Sequence, residues 1–494
     1  MADVHRFLAL DLGAESGRGI VVTLSGGKAT MEPIHRWPNR PVRLAGTLHW
    51  DVPFLFAEVS AALSICAERG IALDGISVDT WGVDFGLLDG RGSLLGNPVH
   101  YRDSRTQTVQ EYSNKVMPAR EVFARTGYVP WPIGSLFQLL SMQRDGSPLL
   151  GAAETFLNMP DLFHYFLTGV KGSELSILNT ASVLGKDCLL ATDLLERFGL
   201  PERIFPQLIE PPTVLGPLSP DVRGQAGLGE VPVIATCGHD TSAAVAAVPA
   251  SGDKWAFLSC GTWSIVGALT DGPIATPQCL ELDFSNQYTI GGWYLAANIS
   301  GLWLVQELRR KWDTPSDPWD YIRLTAEAAK VDSPADSPLI DAADSSLLAP
   351  ADMEEALLRL LTDSGQSHPS GRGGLVRCVL ESLALEYNRR LRTMAQVTGQ
   401  DRDVVYMVGG GIANKLLCQL TADACGVTVH AGANECTAMG NALGQALGLG
   451  ILSDRDEIRQ VMRDSFELTT YSPRDPVTWA EKRRRYEAVQ GAGK

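Results

Sequence analysis

Residues 7–24, Phe-Leu-Ala-Leu-Asp-Leu-Gly-Ala-Glu-Ser-Gly-Arg-Gly-Ile-Val-Val-Thr-Leu, run from an apolar hexapeptide through a Gly/Ser-rich step into a second run of branched residues. Short apolar runs bounded by such residues read as strand, Gly-rich turn, strand. Downstream the period changes. Residues 54–69 carry apolar side chains on a helical stripe that stops at Gly70, and residues 75–79 form another strand. The second half repeats the theme. Residues 255–259 form a strand that enters Cys-Gly-Thr-Trp-Ser264 and continues into Ile265 and Val266. Between residues 375 and 397 a helix aligns Leu375, Val379, Leu383, Tyr387, Leu391 and Met394 and ends at Gly399. A buried strand over 404–408 follows, and Gly409-Gly410-Gly411 opens a further helix. This loose duplication predicts two α/β domains of similar plan, residues 1–246 and 247–494. The crossover lies at residues 247–253, where Pro249 and Gly252 stand, and residues 332–346, rich in Ser, Asp, Pro and Ala, read as a surface loop.

A chain of 494 residues exceeds what one hydrophobic core serves, in agreement with two domains. With 45% hydrophobic and 20% charged residues it is an ordinary globular composition, which excludes disorder on a large scale. Lys and Arg number 42 against 57 Asp and Glu, a net charge of −15 that opposes nucleic-acid binding. The nine cysteines show no Cys-x-x-Cys pair and no zinc spacing, and read as reduced, buried thiols. No signal-peptide core opens the chain, and no run approaches the roughly 20 apolar residues that span a bilayer. The expectation is a soluble, cytoplasmic protein with no membrane partner.

The common phosphate loop Gly-x-x-x-x-Gly-Lys-Ser/Thr is missing, as are His-Glu-x-x-His and Gly-x-Ser-x-Gly. Asp84-Phe85-Gly86 copies the metal-binding triplet of protein kinases without the His-Arg-Asp loop that should precede it. More informative is Asp11, an acid at the end of a buried strand beside a Gly/Ser hairpin, a placement suited to serving a cation. The hairpin glycines let backbone N–H groups approach phosphate oxygens and Ser16 adds a hydroxyl. The same residues also read as a plain hairpin with a solvated aspartate. Gly261-Thr262 offers a second such turn. Val408-Gly-Gly-Gly-Ile-Ala-Asn414 permits close approach of a ribose or a flat ring, while missing the Gly-x-Gly-x-x-Gly of dinucleotide sites. Finally, Cys237-Gly-His-Asp-Thr-Ser-Ala-Ala-Val245 follows an apolar strand and starts a small-residue helix, so that His239 and Asp240 project from its N-terminus. Asp240 there is either a general base for an alcohol attacking phosphorus or an ordinary N-cap.

In this order the Asp-Leu-Gly hairpin, His-Asp, Gly-Thr-Trp-Ser and Gly-Gly-Gly motifs resemble those of the FGGY carbohydrate kinases. Asp79-Thr-Trp-Gly-Val-Asp-Phe85, Tyr101-Arg-Asp-Ser-Arg-Thr106, Pro160-Asp-Leu-Phe-His-Tyr165, Gly238-His-Asp-Thr241 and Ala422-Asp-Ala-Cys-Gly-Val427 are most similar to members of that family acting on L-rhamnulose. The resemblance implies two actin/hexokinase/Hsp70-like (ribonuclease H-like) domains around a central cleft that closes over its substrates. It also implies transfer of the γ-phosphoryl group of ATP to the 1-hydroxyl of L-rhamnulose in L-rhamnose breakdown. L-Fuculose and L-xylulose are the alternative ketoses, and an inactive sugar or nucleotide sensor of the same fold is the alternative outside catalysis. By the resemblance Asp240 is the base; Gly82, His239, Asp240, Thr241 and Asn298 bind the sugar; Ala14, Glu15, Ser16, Gly17, Arg18, Thr262, Gln306 and Gly410 bind ATP; and Asp11 orients magnesium through water. Trp81 would shape the sugar pocket or simply pack in the core.

Overall fold

A computed structural model describes residues 3–491, which form two compact units. The first comprises the chain up to Pro249 together with Thr270–Leu295 and Glu435–Ser465; the second comprises Ala250–Leu269, Ala296–Asn434 and the chain from Phe466 on.

In the first unit Val4–Leu12 pairs antiparallel with Ser16–Ser25, in a register that sets Asp11 opposite Arg18. Gly26 and Gly27, both at positive φ, make a two-residue turn that the right-handed strand twist favours, and return the chain as Lys28–Pro38. On its other side Val4–Leu12 pairs parallel with Gly75–Thr80, which pairs parallel with Pro232–Ala235. The parallel register brings Asp79 beside Asp11. The helix Val52–Glu68 supplies the crossover; Asp51 caps it, accepting from Phe54 N at 3.2 Å, and Val52, Leu55, Val59, Ala62, Leu63 and Cys66 go into the core. Late in the chain, the helix Cys436–Gly448 packs on this unit with glycines at 440, 444 and 448 along one side.

The second unit repeats the plan. Trp255–Cys260 pairs antiparallel with Trp263–Thr270 and parallel with Val404–Val408, which pairs parallel with Thr428–Ala431. The predicted long helix is Gly371–Thr398, ended by Gly399 at φ +67. One difference concerns residues 332–346. They are irregular, as expected, yet not a free surface segment: Leu339, Ile340 and Ala342 are buried, and Ile340 N donates to Ser382 Oγ at 3.0 Å. A second concerns the triple glycine, which leads first into a short 3-10 turn, Gly410–Ala413, before Asn414 caps the helix Lys415–Cys425. No helix among the described residues is long and apolar enough to cross a membrane.

Candidate active site

In the first unit the strand ends bring together three carboxylates. Asp11 and Asp79 are neighbours across the parallel pair, and both feel the charge of Asp240. Burial holds Asp11 above the usual carboxylate range although Arg18 pulls the other way. Burial first, and then Asp11, push Asp79 well above that range. Arg18 grips one oxygen of Asp11, Oδ2, with Nε at 3.0 Å and Nη2 at 2.8 Å, while Nη1 reaches Glu435 Oε2 at 2.6 Å. Asn441 Nδ2 donates to Asp79 Oδ2 at 2.6 Å and is itself held by Gln445. Asp79 Oδ1 remains buried with no hydrogen-bond donor against it.

That orphaned oxygen, next to a second carboxylate, fits a hydrated magnesium ion, which takes one or two carboxylates and keeps its waters for substrate phosphates. Among the described residues no group of three or more His, Cys, Asp or Glu could hold a metal ion.

Asp240 opens the helix Asp240–Ala246, with His239 at the N-cap. The turn before it is pinned to the sheet: Thr80 N donates to Gly238 O at 2.8 Å, and Thr80 bridges to His239 as a parallel pair. Thr241 N, at 2.5 Å, and Thr241 Oγ1, at 3.1 Å, both donate to Asp240 Oδ1. A third of the Asp240 side chain stays open, yet its surroundings desolvate it enough to raise its pKa to about 6 against those two donors. Burial lowers His239 to about 4, so at neutral pH its ring is uncharged and its 3.5 Å approach to Asp240 is not an ion pair.

Around these, Gly82 follows the strand Gly75–Thr80 and faces Thr180, where a Cβ would come within 3.2 Å. Trp81 resolves as core: its ring lies 4.0 Å from that of Trp50, and both indole N–H groups donate to buried Asp84. At the hairpin tip Glu15 is exposed and Ala14 and Ser16 half-buried. Gly17 is glycine because of Trp37, whose ring would sit 2.3 Å from an added Cβ.

The second unit holds a cavity of about 930 Å³. Thr262, Gln306 and Gly410 all line it, with Gln306 Nε2 donating to Thr262 Oγ1 at 3.3 Å. Its walls include Leu302, Val305, Tyr321 and Ile322, and the start of the helix Lys415–Cys425 opens into it. The three glycines divide their work. Gly410 borders open space, whereas a Cβ on Gly409 or Gly411 would strike Cys260 at 3.0 and 2.3 Å. Gly301 went unread in the sequence; a Cβ there would meet the carbonyl oxygens of Gly261 and Thr262 at 2.7 Å, so it lets the chain cross behind that turn. Asn298 is an exposed position on the strand Gly292–Ser300, between buried neighbours. Asp79, Glu435 and Asn441 also went unassigned. Asp79 stood within a quoted motif, and an acid inside an apolar strand was the available signal.

Residues 6–247 match the N-terminal domain, and residues 256–449 the C-terminal domain, of the FGGY family of carbohydrate kinases. The chain is 39% identical to a rhamnulokinase of Bacteroides thetaiotaomicron, over 96% of this chain and 97% of that one. It is 34% identical to a rhamnulokinase of Enterococcus faecalis over 98% and 97%. Among solved structures, the xylulose kinase of Lactobacillus acidophilus superposes with a TM-score of 0.83 at 15% identity, covering 99% of this chain and 97% of that one. The glycerol kinase of Plasmodium falciparum with ADP gives 0.79 at 15% identity over the same shares. At such identities these two likenesses speak for the fold, the two-domain ribonuclease H-like architecture expected from the motifs.

Proposed function

The chain belongs to the FGGY family of carbohydrate kinases, and from that premise we propose that it transfers the γ-phosphoryl group of ATP to the 1-hydroxyl of L-rhamnulose, with Asp240 as the general base. The observation that carries the catalytic part is Asp240 itself: a carboxylate at a helix N-terminus, poised near pH 6, beside an uncharged histidine and two further acids. The substrate is supported by the name that the two relatives carry, rhamnulokinase, and by their match to 96% and 98% of the chain.

In this reading Thr241 occupies Oδ1 of Asp240 and leaves Oδ2 to receive the sugar proton as the hydroxyl oxygen attacks the γ-phosphorus. The new O–P bond forms as the bond to the β-phosphate oxygen breaks, and ADP departs. Gly82, His239, Thr241 and Asn298 orient the ketose. Thr262, Gln306 and Gly410 take the nucleotide in the cavity they line, where the N-terminal end of the helix Lys415–Cys425 favours phosphate. Residues 14–16 turn the hairpin toward the phosphates, and Arg18 holds Asp11 in place. Asp11 and Asp79 would hold magnesium through water, and the ion when bound neutralises the β- and γ-phosphate oxygens.

The test is sugar-dependent ADP release with L-rhamnulose, L-fuculose, L-xylulose, L-ribulose and glycerol under one ATP and magnesium concentration. L-Rhamnulose is expected to give the highest kcat/KM. Ketoses differing by a methyl or hydroxyl group fall roughly 10- to 200-fold below it, the range that one such contact supplies. A different best ketose reassigns the substrate, and no release with any of them refutes the kinase reading.

A pH dependence follows as well. A base must be unprotonated to act, and the Asp240 pKa is raised to about 6. With L-rhamnulose, kcat/KM should therefore fall about tenfold per pH unit below roughly pH 6. An acid limb centred near pH 4 would mean that an ordinary, solvated carboxylate is responsible.

A further inference from the structure

Behind the catalytic turn lies an acid that phosphoryl transfer does not call on. Glu174 is fully buried and stands at the N-cap of the short helix Leu175–Asn179. Its Oε1 accepts from Ser176 N at 2.7 Å. Its Oε2 accepts from Ser176 Oγ at 2.6 Å, from Ile177 N at 3.2 Å and from Gly238 N at 2.8 Å. Ser176 Oγ in turn accepts from His239 N at 3.3 Å. One carboxylate thus takes hold, directly and through one hydroxyl, of the two backbone N–H groups immediately before Asp240. The approach is close enough that a Cβ on Gly238 would lie 3.1 Å from Glu174 Oε2 and 2.8 Å from Pro160.

We propose that Glu174 is a positioning residue for the phosphoryl transfer, clamping the Gly238-His239 turn from the side opposite Thr80 so that Asp240 meets the sugar hydroxyl. The proposal rests on the reading of Asp240 as the base. Capping a five-residue helix needs only the bonds to Ser176 and Ile177; the bond to Gly238 joins that cap to the catalytic turn. Displacing a reacting group by about 1 Å can lower a rate on the order of 10²-fold.

Titration supports the geometry. Burial raises Glu174 to about 7 against its hydrogen bonds. The ionisable groups that face it are Asp161, whose carboxylate accepts from Glu174 N, the Cys237 thiol and the Tyr288 hydroxyl. Burial pushes all three up, Asp161 well above the usual carboxylate range, and Glu174 itself is poised near neutrality. Protonation gives one of its oxygens a hydrogen of its own and weakens the grip on the turn.

Glu174→Gln is the test. An amide keeps the shape, but its single oxygen cannot serve both sides, and its NH2 is turned against either Ser176 N or Gly238 N. The expected result is a 10- to 100-fold lower kcat, a KM for L-rhamnulose changed less than threefold and unaltered ATP binding. The wild-type pH profile should also show a shoulder near pH 7 above the Asp240 limb, and the variant should lose the shoulder while keeping the limb. A kcat within threefold of wild type, or a shoulder that persists in the variant, overturns the proposal. Should Glu174→Gln fail to fold, Ser176→Ala decides: it removes the hydroxyl that links Glu174 Oε2 to His239 N while leaving the Gly238 bond in place, and is expected to lower kcat 3- to 10-fold, and an unchanged kcat overturns the proposal. Asp240→Asn run in parallel keeps the two ideas apart. Full turnover there overturns the base, and its positioning with it, whereas an inactive Asp240→Asn beside a fully active Glu174→Gln overturns the positioning alone.

Discussion

Asp240→Asn is expected to lower kcat by roughly 10²- to 10⁴-fold, the range for removal of a positioned general base. Folding and ATP binding should be intact. The amide matches the carboxylate in shape, and its oxygen can still accept from Thr241 N and Oγ1, so the start of the helix Asp240–Ala246 keeps its contacts. Stability should not suffer either. A carboxylate whose folded pKa is raised to about 6 is ionised at a disadvantage at pH 7, and a neutral amide removes that disadvantage. Steady-state kinetics, thermal melting and nucleotide titration on one preparation separate these effects, and near-normal turnover would sink the assignment of Asp240.

Gly440→Ala should strike stability and turnover together. Gly440, Gly444 and Gly448 recur every four residues along the helix Cys436–Gly448 and let it lie close to its neighbours, against backbone at Gly440 and against side chains at the other two. A Cβ at 440 would sit 1.9 Å from Ala243 O and 2.6 Å from Ala243 C, atoms of the helix that Asp240 begins. Backbone cannot turn aside as a side chain can, so the two helices must separate. Overpacking of this kind costs about 3 kcal/mol, which corresponds to a melting temperature lower by roughly 5 °C. Because the displaced helix carries the base, kcat is expected to drop at least about tenfold. Gly444→Ala is the internal comparison. Its Cβ would meet side-chain atoms of Ile290 and Thr236 at 3.0 and 3.1 Å, which can yield, and its melting temperature should fall by less than half as much. Equal losses at 440 and 444 would refute the backbone-contact argument.

What could be read from the sequence is what local pattern encodes. The opening hairpin, the strand Val404–Val408 and the long helix ended by Gly399 appear where periodicity and punctuation put them. The turn before Asp240 was legible for the same reason, an apolar strand followed by small residues. Lys28–Pro38 left no such trace. It is an outer strand with Pro33 in it, bulged opposite Gly19 and Ile20, and its side chains are mostly open to solvent. Arg18 shows the other limit. Beside a phosphate hairpin it reads as an anion ligand, and only the fold reveals Glu435, 417 positions away, as its second partner. Asn441 on Asp79 and Gln445 on the Leu8 carbonyl are equally distant, and no window of sequence contains both ends of those bonds.

Glu435–Ser465 belongs to the unit that Val4–Leu12 begins, and this delays the completion of that unit on the ribosome. The strands around Asp11 and Asp79 emerge first. Asn441 and Glu435, which satisfy Asp79 and Arg18, emerge only after most of the other unit has been made. At about 5–20 residues per second, the roughly 190 residues between Pro249, where the first segment of that unit ends, and Glu435 impose a delay of roughly 10–40 s. Throughout it the nascent chain carries buried-to-be acids and the apolar sides of Leu8, Ile76 and Ile234 without the glycine-lined helix that finishes them. The half of the chain translated first therefore stays open long after its own strands exist, and the acids of the catalytic centre reach their final surroundings only once Glu435–Ser465 has been made.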